Sequence, residues 1–538
     1  MGMYLNPGNS GFEIIRNSRY VDKSGLIGLM NETIETTRKL TCISRPRRFG
    51  KTFAAKMLCA YYDRTCDSSM LFDDLEIALN EKMNDSYRRH LNQYDVIYLD
   101  MTNVMGEAGK EGLVPFIRRG LTKELQAEYP QIKADESLTA TLLSAVALTG
   151  RKFITIIDEW DAPIRETPQM QEAYLHFLRS LFKSSGTTDR IFAAAYMTGI
   201  LPIKKDGSQS AISDFQEFSV IFPMEYAQFV GFTEGEVRRL CAEYDRDFDR
   251  MKQWYDGYVL EGVNSIYNPN SVMKAVRSNG FRSYWTETSA SRSLMEYISL
   301  DFDGMSKTLA ELLGGIAVPV DTDGFANDLV TFRDRDDVLT LLIHLGYLSY
   351  DRETGRARIP NEEIRLEFAR TVRGVNRDET IRRVRESDRL ILDTVQGNEE
   401  AVAAQIEKIH REETAPLFYH NEQSLRSVIK LAYFSYKDQY MKFEELPSGD
   451  GYADIVYLPK KMSPMPALVI ELKWNQVAEG AIAQIKEKKY PEALWDYGGE
   501  ILLVGIAYDR DAEKRKHSCV IERAERQMDC KITGRMLR

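Results

Sequence analysis

The sequence has few cysteines and histidines for its length, and this scarcity excludes two kinds of site. Six cysteines and six histidines are spread over 538 residues. The cysteines form no CxxC pair, and the histidines supply no matching cluster. The pattern therefore argues against a structural zinc site and against a disulfide framework.

Long apolar runs and an excess of positive charge are also lacking. No apolar stretch approaches the ~18 to 20 residues that cross a bilayer, and the opening "MGMYLNPGNSGFEIIRNSRY" does not look like a signal peptide. We therefore expect a cytoplasmic protein with no membrane partner. The net charge of -10 argues against a general coating of nucleic-acid contacts, because such binding comes mainly from Lys and Arg. A local basic surface stays compatible with this charge.

The composition is that of a packed globular protein, with 43% hydrophobic and 28% charged residues. Its length predicts roughly three or four domains at ~150 residues each. The first third alternates apolar strands with helical stretches, which predicts an α/β fold with a parallel sheet and helices on both faces. The predicted strands are "KLTCIS", "DVIYLDM", "KFITIID" and "RIFAAAYMTGI".

A candidate phosphate-binding loop, "SRPRRFGKT", lies between the first strand and a helix. Such a loop needs inward backbone N–H groups, a lysine for the outer phosphates and a hydroxyl for Mg²⁺ at a helix N-terminus. Arg45 and Pro46 stand where an opening glycine is usual, so the first turn must differ from the common one. We predict that nucleotide is bound by Arg47, Arg48, Phe49, Gly50, Lys51 and Thr52.

A second element of this site is the buried strand "FITIIDEWD". It ends in Asp158, which would hold Mg²⁺ together with Thr52, and in Glu159, which would polarise the attacking water. Thr198 ends the next predicted strand and could sense the γ-phosphate, although a simple strand end is an equal alternative. A transition-state arginine stays unassigned among Arg45, Arg47, Arg48 and Arg190.

The middle of the chain differs from the first third in its sequence pattern. From Phe222 onward, charged amphipathic helices are broken by the turn-rich "YDGYVLEGVNSIYNPNS", which predicts a helical lid. The stretch "VLTLLIHLGYLSYDRETGRARIPNEEIRLEF" predicts a helix, a hairpin turning at "RETGR" and a second helix. We interpret this stretch as a winged-helix-like unit.

A second site is predicted near the C-terminus. In "ALVIELK" the period of two places Glu471 and Lys473 on one face, and a hairpin would bring Asp454 beside them. Two carboxylates and a lysine suit metal-assisted phosphodiester hydrolysis. Asp454 and Glu471 would hold Mg²⁺, and Lys473 would orient the water and offset charge in the transition state. A solvated strand end is the weaker alternative.

Eight segments in order resemble the prokaryotic AAA-ATPase-like family, whose members commonly carry a C-terminal PD-(D/E)XK nuclease domain. They are "YVDKSGLI", "RPRRFGKT", "IIDEWDAPI", "GFTEGEV", "WYDGY", "YNPNSV", "GYLSY" and "IPNEEIR". The resemblance covers nearly the whole chain. It implies that the glycine-poor opening of the loop is a family feature, and that ATP and Mg²⁺ are the cofactors.

The C-terminal pattern resembles the PD-(D/E)XK core, with Ala453 at the position of the motif's proline. The resemblance implies that Glu422 orients the site or joins the metal shell, and that Gln484 contacts the substrate backbone. Glu422 could equally be a first-turn acid that stabilises its helix, and Gln484 could be a surface residue. The implied domains are an AAA-ATPase-like domain (1–222), a lid and winged-helix-like region (223–380), a helical connector (381–420) and a nuclease-like domain (421–538).

Our leading expectation is an ATP-binding and ATP-hydrolysing protein coupled to a Mg²⁺-dependent nuclease that acts on nucleic acid, with DNA favoured. The alternative is a nucleic-acid-binding or partner-sensing regulatory ATPase whose nuclease-like domain does not cut. Defence against foreign DNA is one role that this combination suggests, although no residue specifies it. Self-association is compatible with this class of ATPase, in which one subunit's arginine often completes another's site.

Overall fold

The computed structural model describes most of the chain and divides it into two compact units. The described residues are 2–109, 112–132, 137–183, 185–203, 205–206, 209–210, 212, 214–260, 262–285, 304–326, 332–374, 378–413, 422–433, 435–436, 439–448, 451–460, 465–489, 494, 499–512 and 516–524. The first unit comprises Met1–Asp303 and Pro319–Thr371, and the second comprises Gly304–Val318 and Val372–Arg538. The four domain boundaries expected from the sequence stay predictions.

The first unit is built on a five-stranded parallel sheet. The strands up to residue 218 are β1 (Leu40–Ser44), β2 (Asp95–Asp100), β3 (Phe153–Asp158), β4 (Phe192–Gly199), β5 (Lys205–Asp206), β6 (Gln209–Ser210) and β7 (Gln216–Phe218). The order in the main sheet is β2-β3-β4-β1-β7, and every neighbouring pair is parallel. The four apolar strands predicted from the sequence are confirmed. The edge strand β7 was not predicted, because its sequence "QEF" carries little apolar signal.

Both faces of this sheet are covered. Phe153 and Ile157 of β3 join a core formed with residues such as Leu121 and Phe177, whereas Ile154 and Ile156 are buried on the opposite face. The helices that precede residue 200 are Ser10–Arg16, Gly25–Thr33, Lys51–Tyr62, Ser69–Phe72, Glu76–Leu79, Glu81–His90, Met101–Ala108, Leu113–Glu128, Leu138–Thr149, Ala162–Glu166, Gln171–Phe182 and Ser185–Ile191, with a short 3-10 turn at Pro168–Met170.

The next region contains the predicted amphipathic helices and a small sheet that was not predicted from the sequence. The helices are Glu234–Glu243, Phe248–Tyr255 and Pro269–Ser278, preceded by a 3-10 turn at Met224–Tyr226. The antiparallel strands are β8 (Phe232–Thr233), β9 (Tyr258–Leu260) and β10 (Val263–Tyr267), in the order β8-β10-β9. The turn-rich segment is therefore largely a bulged β-hairpin. Its glycines made it resemble a loop, whereas they stand at the strand ends with positive φ.

The winged-helix-like stretch follows its predicted order. The helix Arg335–Leu345 leads into an antiparallel hairpin of β12 (Ser349–Asp351) and β13 (Arg356–Arg358), and the helix Glu362–Gly374 follows. The short strand β11 (Val318–Pro319) precedes them. The predicted helix, hairpin and helix are confirmed.

The second unit holds a mixed five-stranded sheet. Its strands are β14 (Tyr440–Ser448), β15 (Gly451–Pro459), β16 (Ala467–Trp474), β17 (Ile501–Tyr508) and β18 (His517–Arg523) in sequential order. Only β16 and β17 pair in parallel, and the helix Ala478–Glu487 connects them. The other helices are Met305–Leu313, Asp378–Val395, Glu399–Glu413 and Glu422–Ala432.

The predicted order of helix, three strands, helix and strand is confirmed in this unit. The last strand, β18, was not predicted, because its sequence "HSCVIER" mixes charged and apolar residues. Along the described residues, no helix is both long and apolar enough to span a membrane.

Candidate functional sites

The predicted phosphate-binding loop joins β1 to the helix that begins at Lys51. Arg48 has φ of 68° and Gly50 has φ of 95°, so two residues of the loop adopt left-handed backbone. This conformation is uncommon for a residue other than glycine. The loop therefore makes its turn at Arg48 and Gly50 instead of at an opening glycine.

Arg45 lies beneath the loop and is fully buried. Its Nη1 donates hydrogen bonds to the carbonyl oxygens of Ser44 at 2.9 Å, Phe218 at 2.9 Å and Ser219 at 3.0 Å. Its Nη2 donates to the carbonyl oxygen of Tyr226 at 3.3 Å. Burial lowers the pKa of Arg45 to about 10, so the guanidinium stays charged at neutral pH. Arg45 thus fixes the base of the loop, and these contacts exclude it from the candidate transition-state arginines in this structure.

Lys51 points into the loop and is 4% exposed. Its Nζ donates to the carbonyl oxygens of Arg45 at 3.2 Å and Pro46 at 3.0 Å, and lies 3.5 Å from Glu159 Oε1. The lysine is therefore held by loop carbonyls and an acid, at a position where its ammonium could exchange them for phosphate oxygens.

The acid-tipped strand β3 meets the start of the same helix. Burial raises the pKa of Asp158 to about 7, against a hydrogen bond from Thr52 that lowers it. The structure thus brings together the four residues predicted for phosphate and metal chemistry, which are Lys51, Thr52, Asp158 and Glu159.

Glu159 itself is held by a network that sequence reasoning missed. Its backbone has φ of 51°, and its Oε2 forms a 2.8 Å ion pair with Arg165 Nη2. Arg165 Nε also contacts Asp161 Oδ2 at 2.8 Å, and Asp161 accepts the backbone N–H of Leu201 at 2.9 Å. The signal in the sequence was an acid and an arginine four residues apart, directly after the strand that ends in Asp158.

Thr198 lies at the carboxyl end of β4, in register with Asp158. It is buried, and its hydroxyl donates to the carbonyl oxygen of Ile43 at 3.1 Å. This contact favours the alternative in which Thr198 is a strand-end residue. Arg190, another candidate arginine, is exposed at the end of its helix.

A cavity of about 520 Å³ opens beside the loop. Gly50, Lys51, Thr52 and Glu159 line it together with several apolar side chains. A polar phosphate end next to an apolar wall is the arrangement that suits a nucleotide. The apolar wall comprises Tyr20, Val21, Phe53, Met57, Phe229, Phe232 and Met273. Tyr20 and Val21 open the segment "YVDKSGLI", which sequence reasoning had not assigned to the site.

Later segments of the first unit contact Arg47 and Arg48 of the loop. Asn268 Nδ2 donates to the carbonyl oxygen of Arg47 at 3.4 Å. Arg48 Nη1 donates to the carbonyl oxygen of Tyr284 at 3.4 Å. Arg48 lines the cavity. The backbone of Arg47 and the side chain of Arg48 each contact a residue more than 200 positions later in the chain.

Two apolar contacts complete this attachment. The rings of Phe49 and Tyr258 meet edge to face with centroids 5.2 Å apart. Gly346 packs so closely on Pro46 that a Cβ at this glycine would lie 2.6 Å from the proline Cβ. The loop is therefore packed against the residues of "WYDGY", "YNPNSV" and "GYLSY".

The predicted nuclease site forms on the sheet of the second unit. Asp454 lies on β15 and Glu471 on β16, and Leu472 N donates to Asp454 Oδ2 at 2.9 Å. Lys473 Nζ lies 3.7 Å from Glu471 Oε1. Gln484 bridges these two, since it accepts from Lys473 and donates to Glu471. The structure thus brings four predicted residues together.

Burial raises the pKa of Glu471 to about 7, and the charges of Asp454 and Glu422 act in the same direction. Glu422 is exposed at the start of its helix. Its negative charge is one cause of the raised pKa of Glu471. One turn later, Arg426 Nη2 forms an ion pair with Asp454 Oδ1. Sequence reasoning missed Arg426, although the four-residue spacing from Glu422 places both on one helix face.

A divalent cation would fit this site. Glu471 Oε2 is buried and has no hydrogen-bond partner among the described residues, and Mg²⁺ is commonly held by one or two carboxylates plus substrate phosphates. In the described part of the chain, no group of three or more metal-binding side chains occurs. Asp454 and Glu471 would therefore hold the ion with help from water or substrate.

The fold and the two sites define a P-loop ATPase-like protein with a nuclease-like C-terminal domain. Residues 8–208 match the family described as Predicted AAA-ATPase, and residues 420–518 match the PD-(D/E)XK nuclease superfamily. The N-terminal part of the chain is thus an AAA-ATPase-like domain, and the C-terminal part is a domain of the PD-(D/E)XK nuclease superfamily. The resemblance inferred from the motifs is confirmed.

Solved structures are only distantly similar. The Aeropyrum pernix ORC2 protein, solved as ADPNP-ADP complexes, is 12% identical, and the match covers 67% of this chain and 97% of that chain with a TM-score of 0.31. A crystal structure of a DNA replication initiation factor is 10% identical, and the match covers 78% of this chain and 96% of that chain with a TM-score of 0.24. No curated protein matches the chain.

Proposed function

We propose that the chain is an ATP-binding and ATP-hydrolysing switch coupled to a Mg²⁺-dependent nuclease that cuts nucleic acid, with DNA the favoured substrate. One observation carries this proposal: each unit gathers its own set of groups for phosphate chemistry. In the first unit, Lys51, Thr52 and Glu159 line one cavity, and Thr52 hydrogen-bonds to Asp158. The second unit places Glu471 and Lys473 together.

In the first unit, Lys51 would release the loop carbonyls and bind the outer phosphates of ATP. Thr52 and Asp158 would hold Mg²⁺, which supplies charge neutralisation between the phosphates. Glu159 would accept the proton of the attacking water, at an orientation set by Arg165. Tyr20, Val21 and the other apolar wall residues of the cavity would enclose the base and exclude water.

In the second unit, Asp454 and Glu471 would hold a divalent cation, which lowers the pKa of bound water. Lys473 would orient that water and offset the negative charge that grows on the phosphate. Gln484 keeps Lys473 and Glu471 in place and would reach the nucleic-acid backbone. Asp454 and Glu471 lie on neighbouring antiparallel strands, and Gln484 lies on the helix Ala478–Glu487.

Coupling would start at the loop. Arg47, Arg48 and Phe49 contact Asn268, Tyr284 and Tyr258, so a change in the loop on ATP binding would be felt in the region after residue 223. We expect this change to control the access of nucleic acid to the nuclease-like domain.

A second function is favoured by the ion pair on Asp454. Because Arg426 occupies an oxygen that a metal would need, the domain could bind nucleic acid or a partner without cutting. In that case the chain is a regulatory ATPase that senses nucleic acid or another protein, and defence against foreign DNA fits either form.

The test is cleavage of single- and double-stranded DNA and RNA in Mg²⁺ or Mn²⁺, with and without ATP. We expect Lys473→Ala to abolish cleavage. We expect Lys51→Ala to leave cleavage in place but to abolish the effect of ATP on it. The nuclease proposal would be overturned if nucleic acid is bound but not cleaved in either metal and Lys473→Ala has no effect. That result would favour the regulatory ATPase.

A further inference from the structure

The two acids of the nuclease-like site are prepared in opposite ways. Asp454 uses both oxygens within the protein, since Oδ1 pairs with Arg426 and Oδ2 accepts the backbone N–H of Leu472 at 2.9 Å. Glu471 uses Oε1 with Gln484, whereas its Oε2 is buried and has no hydrogen-bond partner among the described residues. Asp454 therefore has both oxygens occupied, whereas Glu471 keeps one oxygen without a partner among the described residues.

Both carboxylates are buried, so water stabilises their negative charges only weakly. The side chains of Arg426 and Asp454 are 13% and 11% exposed, and that of Glu471 is 4% exposed. A buried carboxylate needs a positive partner or hydrogen bonds, because solvent no longer stabilises its charge. The guanidinium of Arg426 supplies that charge to Asp454, at the oxygen where a divalent cation would bind.

We infer that Arg426 is a built-in counter-ion that occupies the cation position at Asp454 and competes with the divalent metal for it. When the metal binds, the guanidinium is released toward the substrate, where its planar set of donors suits the phosphodiester group. Arg426 is thus a second phosphate-binding group of the site, besides Lys473. The inference rests on the proposed nuclease and adds a competition step to it.

The first experiment measures Mn²⁺ binding to the full chain by electron paramagnetic resonance of the free ion. Arg426→Gln removes the guanidinium, and Lys430→Gln removes one positive charge from the same helix, where Lys430 pairs with Glu444. We expect Arg426→Gln to bind Mn²⁺ about tenfold more tightly than wild type, which corresponds to ~1.4 kcal/mol. Lys430→Gln is expected to change the affinity by less than about twofold, since the charge of Lys430 is paired with Glu444 and not with Asp454.

Two further variants serve as controls for this measurement. Glu471→Gln is expected to abolish the same Mn²⁺ site, which shows that the ion counted is the one at the acids. Arg426→Lys keeps a positive charge near Asp454 and is expected to bind Mn²⁺ like wild type. It also keeps the inference testable if Arg426→Gln does not fold, because a compact ammonium cannot form the paired hydrogen bonds of a guanidinium to phosphate.

The second experiment measures the anisotropy of a labelled DNA oligonucleotide in Mn²⁺, with Lys473→Ala present in every variant to block cleavage. We expect Arg426→Gln and Arg426→Lys to weaken this binding, although the first one strengthens Mn²⁺ binding. A residue that merely supports the fold would weaken both kinds of binding together.

The outcomes separate the inference from the proposed function. If a Glu471-dependent Mn²⁺ site exists and Arg426→Gln binds the ion no more tightly than Lys430→Gln, the competition is refuted and the nuclease proposal stands. If no variant, including Arg426→Gln, shows a Glu471-dependent site, both are refuted. If wild type shows no such site and Arg426→Gln creates one, the competition is supported in its strongest form.

Discussion

The guanidinium of Arg45 donates to the carbonyl oxygen of Phe218 at 2.9 Å, and this hydrogen bond ties the start of the phosphate-binding loop to the edge strand β7. Glycine at this position would let the loop turn but would leave the carbonyl oxygens beneath it without a donor. Arginine lacks the conformational freedom of glycine, but its charged guanidinium acts as a clamp that binds these carbonyl oxygens. The unusual opening of the loop therefore has a structural reason.

Arg45→Met tests this role, because it keeps an unbranched side chain as far as the position of the arginine Nε and removes all the donors. We expect a loss of about 2 to 4 kcal/mol of stability, since several buried carbonyls lose a charged partner. ATP affinity should fall as well. Thermal unfolding and a nucleotide-binding titration measure the two effects. Arg190→Met is the control, since Arg190 is exposed, and equal behaviour of the two variants would contradict the clamp.

Gly346→Ala tests whether the loop depends on its contact with the winged-helix-like region. Gly346 has φ of 86°, and its Cβ would lie 2.6 Å from Pro46 Cβ. Gly355 has φ of 64° and open space around its Cβ position, so Gly355→Ala imposes similar backbone strain without the clash. We expect only Gly346→Ala to weaken ATP binding, by about tenfold or ~1.4 kcal/mol. An equal loss of affinity in both variants would mean that strain alone is responsible.

The sequence allowed the main strands and the two sets of acids to be predicted, because each depends on local pattern. The strand ending in Asp158 is an unbroken apolar run, and the alternation in "ALVIELK" places Glu471 and Lys473 on one face. Both patterns are complete within a few residues. No distant partner is needed to recognise them.

The contacts that complete the sites could not be predicted, because their partners are distant in the chain. Arg45 binds carbonyls near residue 218, and Pro46 packs on Gly346. Arg426 reaches Asp454 only because the helix Glu422–Ala432 packs against the sheet. A charged residue in a helix carries no local signal of such a contact.

Arg165→Ala tests whether this residue positions Glu159 for catalysis. Loss of the 2.8 Å ion pair would free the carboxylate to rotate away from the attacking water. We expect kcat for ATP hydrolysis to fall by about 10- to 100-fold, with the Kd for ATP almost unchanged. Arg165→Lys should recover part of the rate.

The control for Arg165 is the same change in a Glu159→Gln background. If Arg165 acts through Glu159, the double variant should hydrolyse ATP as slowly as Glu159→Gln alone. A further loss of rate in the double variant, or a parallel loss of ATP affinity in Arg165→Ala, would instead indicate a general structural role.

Glu363, in the segment "IPNEEIR", predicts a pH dependence of stability. It is buried, accepts hydrogen bonds from Tyr284 N at 2.7 Å and Ser271 Oγ at 3.0 Å, and burial raises its pKa to about 7. The folded form therefore binds its proton more tightly than the unfolded form. The stability from this proton is complete below pH 4.5, the ordinary value, and is lost as the pH rises through about 7.

Glu363→Gln isolates this effect, because the amide oxygen still accepts both hydrogen bonds and no charge forms at high pH. Relative to this variant, wild type should lose on the order of 3 kcal/mol between pH 4.5 and pH 7.5, and the difference should become constant at higher pH. Thermal unfolding across this range measures it, and the difference between the two proteins cancels the other titrating groups. Parallel curves for the two proteins would mean that Glu363 is already ionised in the folded state and that its burial is offset by the hydrogen bonds from Tyr284 and Ser271.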